Sequence, residues 1–298
     1  MLNHLFRPIV FAILLIVSAS THSNARQIHV VTSFSILANM VARIGGDRVI
    51  VMPLVGPNAD AHVYEPRPQD AEALDAADLI IVNGLGFDTW MDRLVEASAT
   101  HAPVKIATTG ISALNTELTG HQVADPHAWQ NLANGKIYVK NIANALCAVD
   151  PDDCVDFKNN LQDYASEIEK LDSDIRRRIL QIPEDRRIVI TTHDAFAYFG
   201  AAYGIQFHAA EGISTESDPS AADLAKLVRQ IRQNNTSVLF LENMSDPRLI
   251  EQISNETGVK LGGTLYADAL TTTSEGGASY LAMFKHNADL LISAMAQQ

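Results

Sequence analysis

From residue 28 onward the chain alternates between two hydrophobic patterns. Apolar, β-branched runs occur at IHVVTS (28–33), VIVMPLV (49–55), LIIVNG (79–84) and VKIATT (104–109). Each is short, as strands are, and each is followed by a segment whose apolar positions recur at helical spacing. FSILANMVARIGG ends on a glycine stop, PQDAEALDAAD opens on Pro68 as a first-turn proline, and FDTWMDRLVEA follows a glycine turn. The second half repeats the alternation. IVITT (188–192), SVLFLEN (237–243) and KLGGTLYA (260–267) read as strands, and AFAYFGAAYG, AADLAKLVRQIRQ, DPRLIEQISNETG and SYLAMFKHNADLLISAM as helices. Strand–helix alternation of this kind predicts an α/β fold with mostly parallel sheets. No short repeat period is present, so the two halves share architecture only.

A different segment separates them. Phe157, Leu161, Tyr164, Ile168, Leu171, Ile175, Ile179 and Ile182 step by three and four residues among polar and charged ones, and Pro183 ends the run. The pattern predicts one long amphipathic helix of about 27 residues. A coiled-coil dimer would also show such a stripe. One helix laid along both halves is the preferred reading, because the stripe stops where the second α/β block begins. The expected organisation is an N-terminal lobe over 26–150, a stiff linking helix within 151–183, and a C-terminal lobe over 184–298.

The first 25 residues do not belong to this scheme. Arg7 precedes an unbroken apolar run from Ile9 to Val17, and Ser23-Asn24-Ala25 fits a small-x-small cleavage site. The run is too short to span a bilayer, so it reads as a secretory signal peptide cleaved near Ala25. No cysteine follows it to carry a lipid. The expectation is an exported, periplasmic protein without membrane insertion. Loss of Arg7 takes the net charge from −13 to −14. An acidic surface of this kind argues against nucleic acid as a partner. The only two cysteines, Cys147 and Cys154, flank the turn-forming AVDPDD. In an oxidising compartment a short-loop disulfide is the favoured reading, with two separate thiols as the alternative.

The chemistry lies in the histidines. Three of the ten sit just after strands or in turns beside an acid: His62 in NADAHVYEP, His127 in ADPHAWQN and His193 in TTHDAF. Asp268, in TLYADAL, lies just past a further strand. Ligands of open α/β sheets collect beyond the carboxyl ends of strands, so two facing lobes would bring all four side chains to one cleft. Three imidazoles and a carboxylate can complete a four-coordinate zinc site, and they also suit manganese. Taken singly, each histidine reads as readily as a capping or hydrogen-bonded loop residue. Glu65 is a candidate acceptor behind His62, a role that ligating histidines usually need filled. Asp60, Asp125 and Asp194 are similar candidates, with turn or cap roles as the alternative. Tyr64 and Trp129 are expected to line the cleft and exclude water. His208 reads as a packed strand residue, His29 and His286 as structural or exposed, and His101 as a loop residue.

DAHVYEPRPQD, DPHAW, THDAFAYFGAAYGI, GISTESDPSAADL and YADAL, taken together and in this order, resemble the zinc/manganese-binding solute receptors of bacterial ABC importers. The resemblance covers essentially the whole chain after the signal. It implies two (β/α) lobes joined by a rigid helix, with one metal ion in the cleft. His62 and His127 would come from the first lobe, and His193 and Asp268 from the second. It also implies a membrane permease with a cytoplasmic ATPase as partners, and a monomeric receptor that is not an enzyme. In such receptors the third position is often glutamate for manganese or iron and often histidine for zinc. His193 therefore favours zinc. Many zinc receptors also carry a His-rich loop before DPH, whereas ISALNTELTGHQVA holds only His121, which keeps manganese open. The rival from another class is an exported zinc hydrolase. Such an enzyme keeps a water position and a nearby base, and the chain has no HExxH helix.

Overall fold

The computed structural model describes residues 26–118, 121–217, 219–234 and 238–297, so the expected signal peptide lies outside the described residues. The first half builds β1 (Ile28–Phe34), α1 (Ser35–Gly45), β2 (Val49–Val55), α2 (Pro68–Asp75), β3 (Leu79–Val82), α3 (Trp90–Ala97) and β4 (Val104–Ile106). A small antiparallel hairpin follows, β5 (Asn115–Leu118) and β6 (His121–Ala124). Then come α4 (Leu132–Val149) and α5 (Cys154–Ile179). The second half runs β7 (Ile188–Thr191), α6 (Ala197–Tyr203), β8 (Gln206–Ala209), α7 (Ala221–Asn234), β9 (Val238–Glu242), α8 (Arg248–Thr257), β10 (Lys260–Leu265) and α9 (Tyr280–Ala296). Two wholly parallel four-stranded sheets result, ordered β2-β1-β3-β4 and β10-β9-β7-β8. The two-lobed α/β architecture read from the alternation of strands and helices is therefore present.

Local chemistry explains the element ends. Pro68 occupies the first turn of α2, where a missing N–H costs nothing, and Arg67 and Asp70 form a capping box around it. Gly204 and Gly258 close α6 and α8 with φ of 72° and 75°, a left-handed conformation in which a Cβ would be strained.

The interlobe helix is real but differs from its expected extent. α5 ends at Ile179, and Ile182 stays buried beyond it as the chain turns toward β7. Phe157, Tyr164, Ile168, Ile175 and Ile179 form its buried face. α5 packs on α1 and α4 of the first half and on α6 and α9 of the second. The apolar stripe is thus consumed within the chain. α4, which the strand and helix patterns left unassigned, packs antiparallel beside α5. Cys147 and Cys154 form a disulfide across their junction, with Cα atoms 4.6 Å apart. One contiguous core joins buried residues of both sheets, from Ile28 and Val30 to Phe240 and Leu265, with Leu291 of α9 packed into it. No helix among the described residues is long and apolar enough to cross a membrane.

Candidate metal centre

The four residues singled out by their position after strands meet at one point. A nitrogen from each of His62, His127 and His193 and a carboxylate oxygen of Asp268 all lie within 4.8 Å of one another. Nε2 of His62 is 3.3 Å from Nε2 of His127 and 3.1 Å from Oδ2 of Asp268. That oxygen is 3.0 Å from Nε2 of His193 and 3.8 Å from Nε2 of His127. Four ligands at zinc–nitrogen distances of about 2.0–2.1 Å form a tetrahedron with edges of roughly 3.3 Å, so the cluster has the size of a single coordinated cation. The side chains of His127, His193 and Asp268 are fully buried and that of His62 is 5% exposed. Oδ1 of Asp268 is buried with no hydrogen-bond partner. A buried carboxylate oxygen in that state needs a positive neighbour, so the donor set and the orphaned atom both fit a cation.

His193, Asp268 and the loop of His62 follow the C-terminal ends of β7, β10 and β2, as open parallel sheets favour. His127 differs, because it follows the β5–β6 hairpin instead of a strand of either large sheet. Its loop is fastened across the cleft. Nε1 of Trp129 and Nε2 of Gln130 both donate to the carbonyl of Ala267, at 3.0 and 2.7 Å, one residue before Asp268. The Tyr198 hydroxyl donates to the carbonyl of Asp125 at 2.9 Å and that of Tyr280 to the carbonyl of Trp129 at 2.6 Å.

The loop of His62 is tied differently. Asn58, in the left-handed region at φ 54°, donates its backbone N–H to the carbonyl of Leu270 at 2.9 Å and its side-chain amide to Glu275. Asp60 accepts from the N–H of His62 at 2.8 Å and from the Thr215 hydroxyl at 2.6 Å. The His62 ring lies edge-on to Phe87, with centroids 4.9 Å apart.

Acids stand behind two of the imidazoles. Oδ1 of Asp125 is 2.8 Å from Nδ1 of His127 and also accepts that residue's N–H, so Asp125 does more than cap a turn. Nδ1 of His193 is hydrogen-bonded to Oε2 of Glu242. Sequence reasoning missed Glu242. Its only signal was an acid closing an otherwise apolar strand, VLFLE. Asp194 donates its backbone N–H to the carbonyl of Gly212, and burial raises the pKa of its carboxyl. Burial alone would favour neutral His193, but the carboxylates of Glu242 and Asp268 outweigh it and hold the ring's pKa well above the ordinary value. Burial likewise opposes an ionised Asp268, yet His193 and His127 hold it well below the usual carboxylate range.

Of the other expected roles, those of Glu65 and Trp129 shift and the rest hold. Glu65 is exposed on the rim of a cavity of about 720 Å³ beside His62, so it does not stand behind the imidazole. The turn is held by Asp60 instead. Tyr64 lines that cavity and donates its hydroxyl to Asp70 at 2.7 Å. Trp129 is fully buried behind His127, with ring centroids 5.3 Å apart, and so belongs to the wall under the site. His208 lies in β8, His286 stacks on Tyr266 at 4.1 Å, and His29 and His101 are exposed.

Known proteins resemble this chain in sequence and in fold. The chain is 32% identical over 92% of its length to the manganese ABC transporter substrate-binding lipoprotein PsaA of Streptococcus anginosus, covering 91% of that protein. It is 30% identical to the iron-binding protein YfeA of Yersinia pestis, over 98% of this chain and 96% of that one. The solved structure of the periplasmic zinc-binding protein TroA from Treponema pallidum superposes with a TM-score of 0.85 at 30% identity, covering 90% of this chain and 99% of that one. Residues 30–294 match the family model of the periplasmic zinc-uptake complex component A, ZnuA, and the chain belongs to that family.

Proposed function

We propose that the protein is a receptor that captures one divalent transition-metal ion outside the cytoplasmic membrane and delivers it to an ABC importer. The observation that carries this reading is the buried convergence of three imidazole nitrogens and one carboxylate, drawn from both halves of the chain. Nε2 of His62, His127 and His193 and a carboxylate oxygen of Asp268 would hold the ion. The relatives are named as transporter receptors or metal-binding proteins, which supports a permease with a cytoplasmic ATPase as the partner. Export through residues 1–25, a monomeric state, and lobes at 26–150 and 184–298 linked through 151–183 belong to the same proposal. Four protein ligands close a tetrahedral site. The nearby acids Asp125 and Glu242 are turned onto imidazole nitrogens, an arrangement suited to holding an ion and not to activating a water.

Zinc is the first reading of the ion, because three imidazoles and one carboxylate favour it over the harder manganese in the usual order of affinities. Manganese is the second. Oδ1 of Asp268, buried and unpartnered, could add a further oxygen ligand, and relatives such as PsaA are named for manganese. Elemental analysis of protein isolated from its native host decides. One zinc per chain supports the first reading and one manganese overturns it in favour of the second. Absence of any metal, with none taken up from trace-metal buffer, overturns the receptor.

A further inference from the structure

We propose that Glu242 is a positioning residue for this site: it keeps the proton of His193 on Nδ1, so that Nε2 is the atom presented to the ion. The inference rests on the receptor reading for its meaning, but its geometry stands alone. Glu242 closes β9 and its side chain is fully buried. Oε1 accepts the backbone N–H of Thr192 at 2.9 Å and that of His193 at 3.1 Å. These two bonds fix the plane of the carboxylate. They leave Oε2 facing Nδ1 of His193.

An ionised carboxylate can only accept. The ring nitrogen it faces must therefore carry hydrogen. Nε2 faces Asp268 at 3.0 Å, so both nitrogens donate while the ring is charged, and with Glu242 holding the hydrogen on Nδ1 it is the proton of Nε2 that the ion displaces. A negative partner also makes the imidazole a stronger donor toward a metal, and such outer partners are typically worth about 10–100-fold in affinity. Glu242 reaches His193 from 49 residues along the chain, so orientation and donor strength are supplied by a different strand of the same sheet.

Glu242→Gln separates this role from packing. The glutamine carbonyl can keep both backbone N–H bonds. Its amide would then donate to Nδ1 of His193 and move the ring proton onto Nε2, where it blocks the ion. Zn2+ affinity, measured by competition with a chromogenic chelator, should fall by about 10–100-fold while the metal-free protein keeps its fold by circular dichroism. Glu242→Asp, which remains an acceptor only, should lose less. Histidine-labelled metal-free wild type in alkaline buffer should show hydrogen on Nδ1 of His193 by 1H–15N NMR. E242Q should show it on Nε2. Hydrogen on Nε2 in the wild type, or unchanged Zn2+ affinity in folded E242Q, overturns the proposal. The wild-type spectrum decides even if E242Q does not fold. Failure of the wild type to bind metal would sink the receptor reading while leaving the tautomer test intact.

Discussion

The hydroxyl of Thr215 donates a 2.6 Å hydrogen bond to one oxygen of Asp60, whose other oxygen accepts the backbone N–H of His62 at 2.8 Å. A residue of the second half thus steadies the loop that carries an imidazole of the first. Thr215→Val removes the donor and nearly keeps the shape. A hydrogen bond of this kind contributes on the order of 1 kcal/mol, so metal dissociation should speed up roughly three- to tenfold. Stopped-flow transfer of Zn2+ to a chelator measures it. An unchanged rate would show that the latch does not govern release.

The four clustered residues were legible because each follows a strand or turn and sits beside rigidifying prolines or acids, as in DAHVYEP and DPHAW. The disulfide was legible because Asp-Pro-Asp-Asp turns the chain between its cysteines. What stayed hidden depends on distance in the sequence. Glu242 meets His193 through strand order, which local pattern does not carry. α4 was hidden because its buried positions include Gly135, Ala143 and Ala145 beside Tyr138, Val139, Ile142 and Leu146, which blurs the helical stripe. Trp129 was misplaced at the cleft surface because a flanking aromatic reads the same whether it faces solvent or the core. In the fold its ring nitrogen reaches the carbonyl of Ala267, 138 residues on.

Removing His193 should cost stability as well as metal. It is buried between Glu242 and Asp268, and without it two buried carboxylates face each other with their shared partner gone. Breaking a buried charged arrangement in this way costs roughly 3–5 kcal/mol. Metal-free His193→Ala should therefore unfold at markedly lower urea. His62→Ala removes a nearly buried ring that faces only one carboxylate, Asp268, which keeps His193 as a partner; it should cost less, about 1 kcal/mol, while still abolishing tight metal binding. Equal stability losses in the two metal-free variants would contradict this reading of His193.

The bond between Cys147 and Cys154 closes a short loop at the junction of α4 and α5, next to the packing of α5 on both halves. Loop-closure entropy for a ring of this size amounts to about 2.5 kcal/mol. Replacing both cysteines by serine should lower the melting temperature by roughly 5–10 °C, with Zn2+ affinity close to wild type because the site lies elsewhere. Calorimetry of both proteins tests the first claim and competition titration the second. A large loss of affinity would mean that the helix pair transmits strain to the cleft.

Protons and the metal should act on His193 in opposite directions. In the metal-free protein burial works against the charged ring, but Glu242 and Asp268 hold its pKa well above the ordinary 6.5. A raised folded value contributes stability that is complete below the unfolded pKa and is lost as pH rises through the folded one. Asp268 is depressed well below 3.8, so its contribution is present above that value and lost as pH falls through the folded one. The pair therefore stabilises the metal-free protein most fully between the two ordinary values, from 3.8 to 6.5. The ion needs Nε2 of His193 without its proton. Zinc affinity should thus fall as pH drops through the raised His193 value, by about tenfold per pH unit while one proton is displaced. Urea unfolding of the metal-free protein and zinc competition, both across neutral to mildly alkaline pH, should slope in opposite senses. The His193→Ala protein should lose the stability slope. Zinc affinity independent of pH over that range would rule out proton displacement at His193 as the cost that metal capture has to overcome.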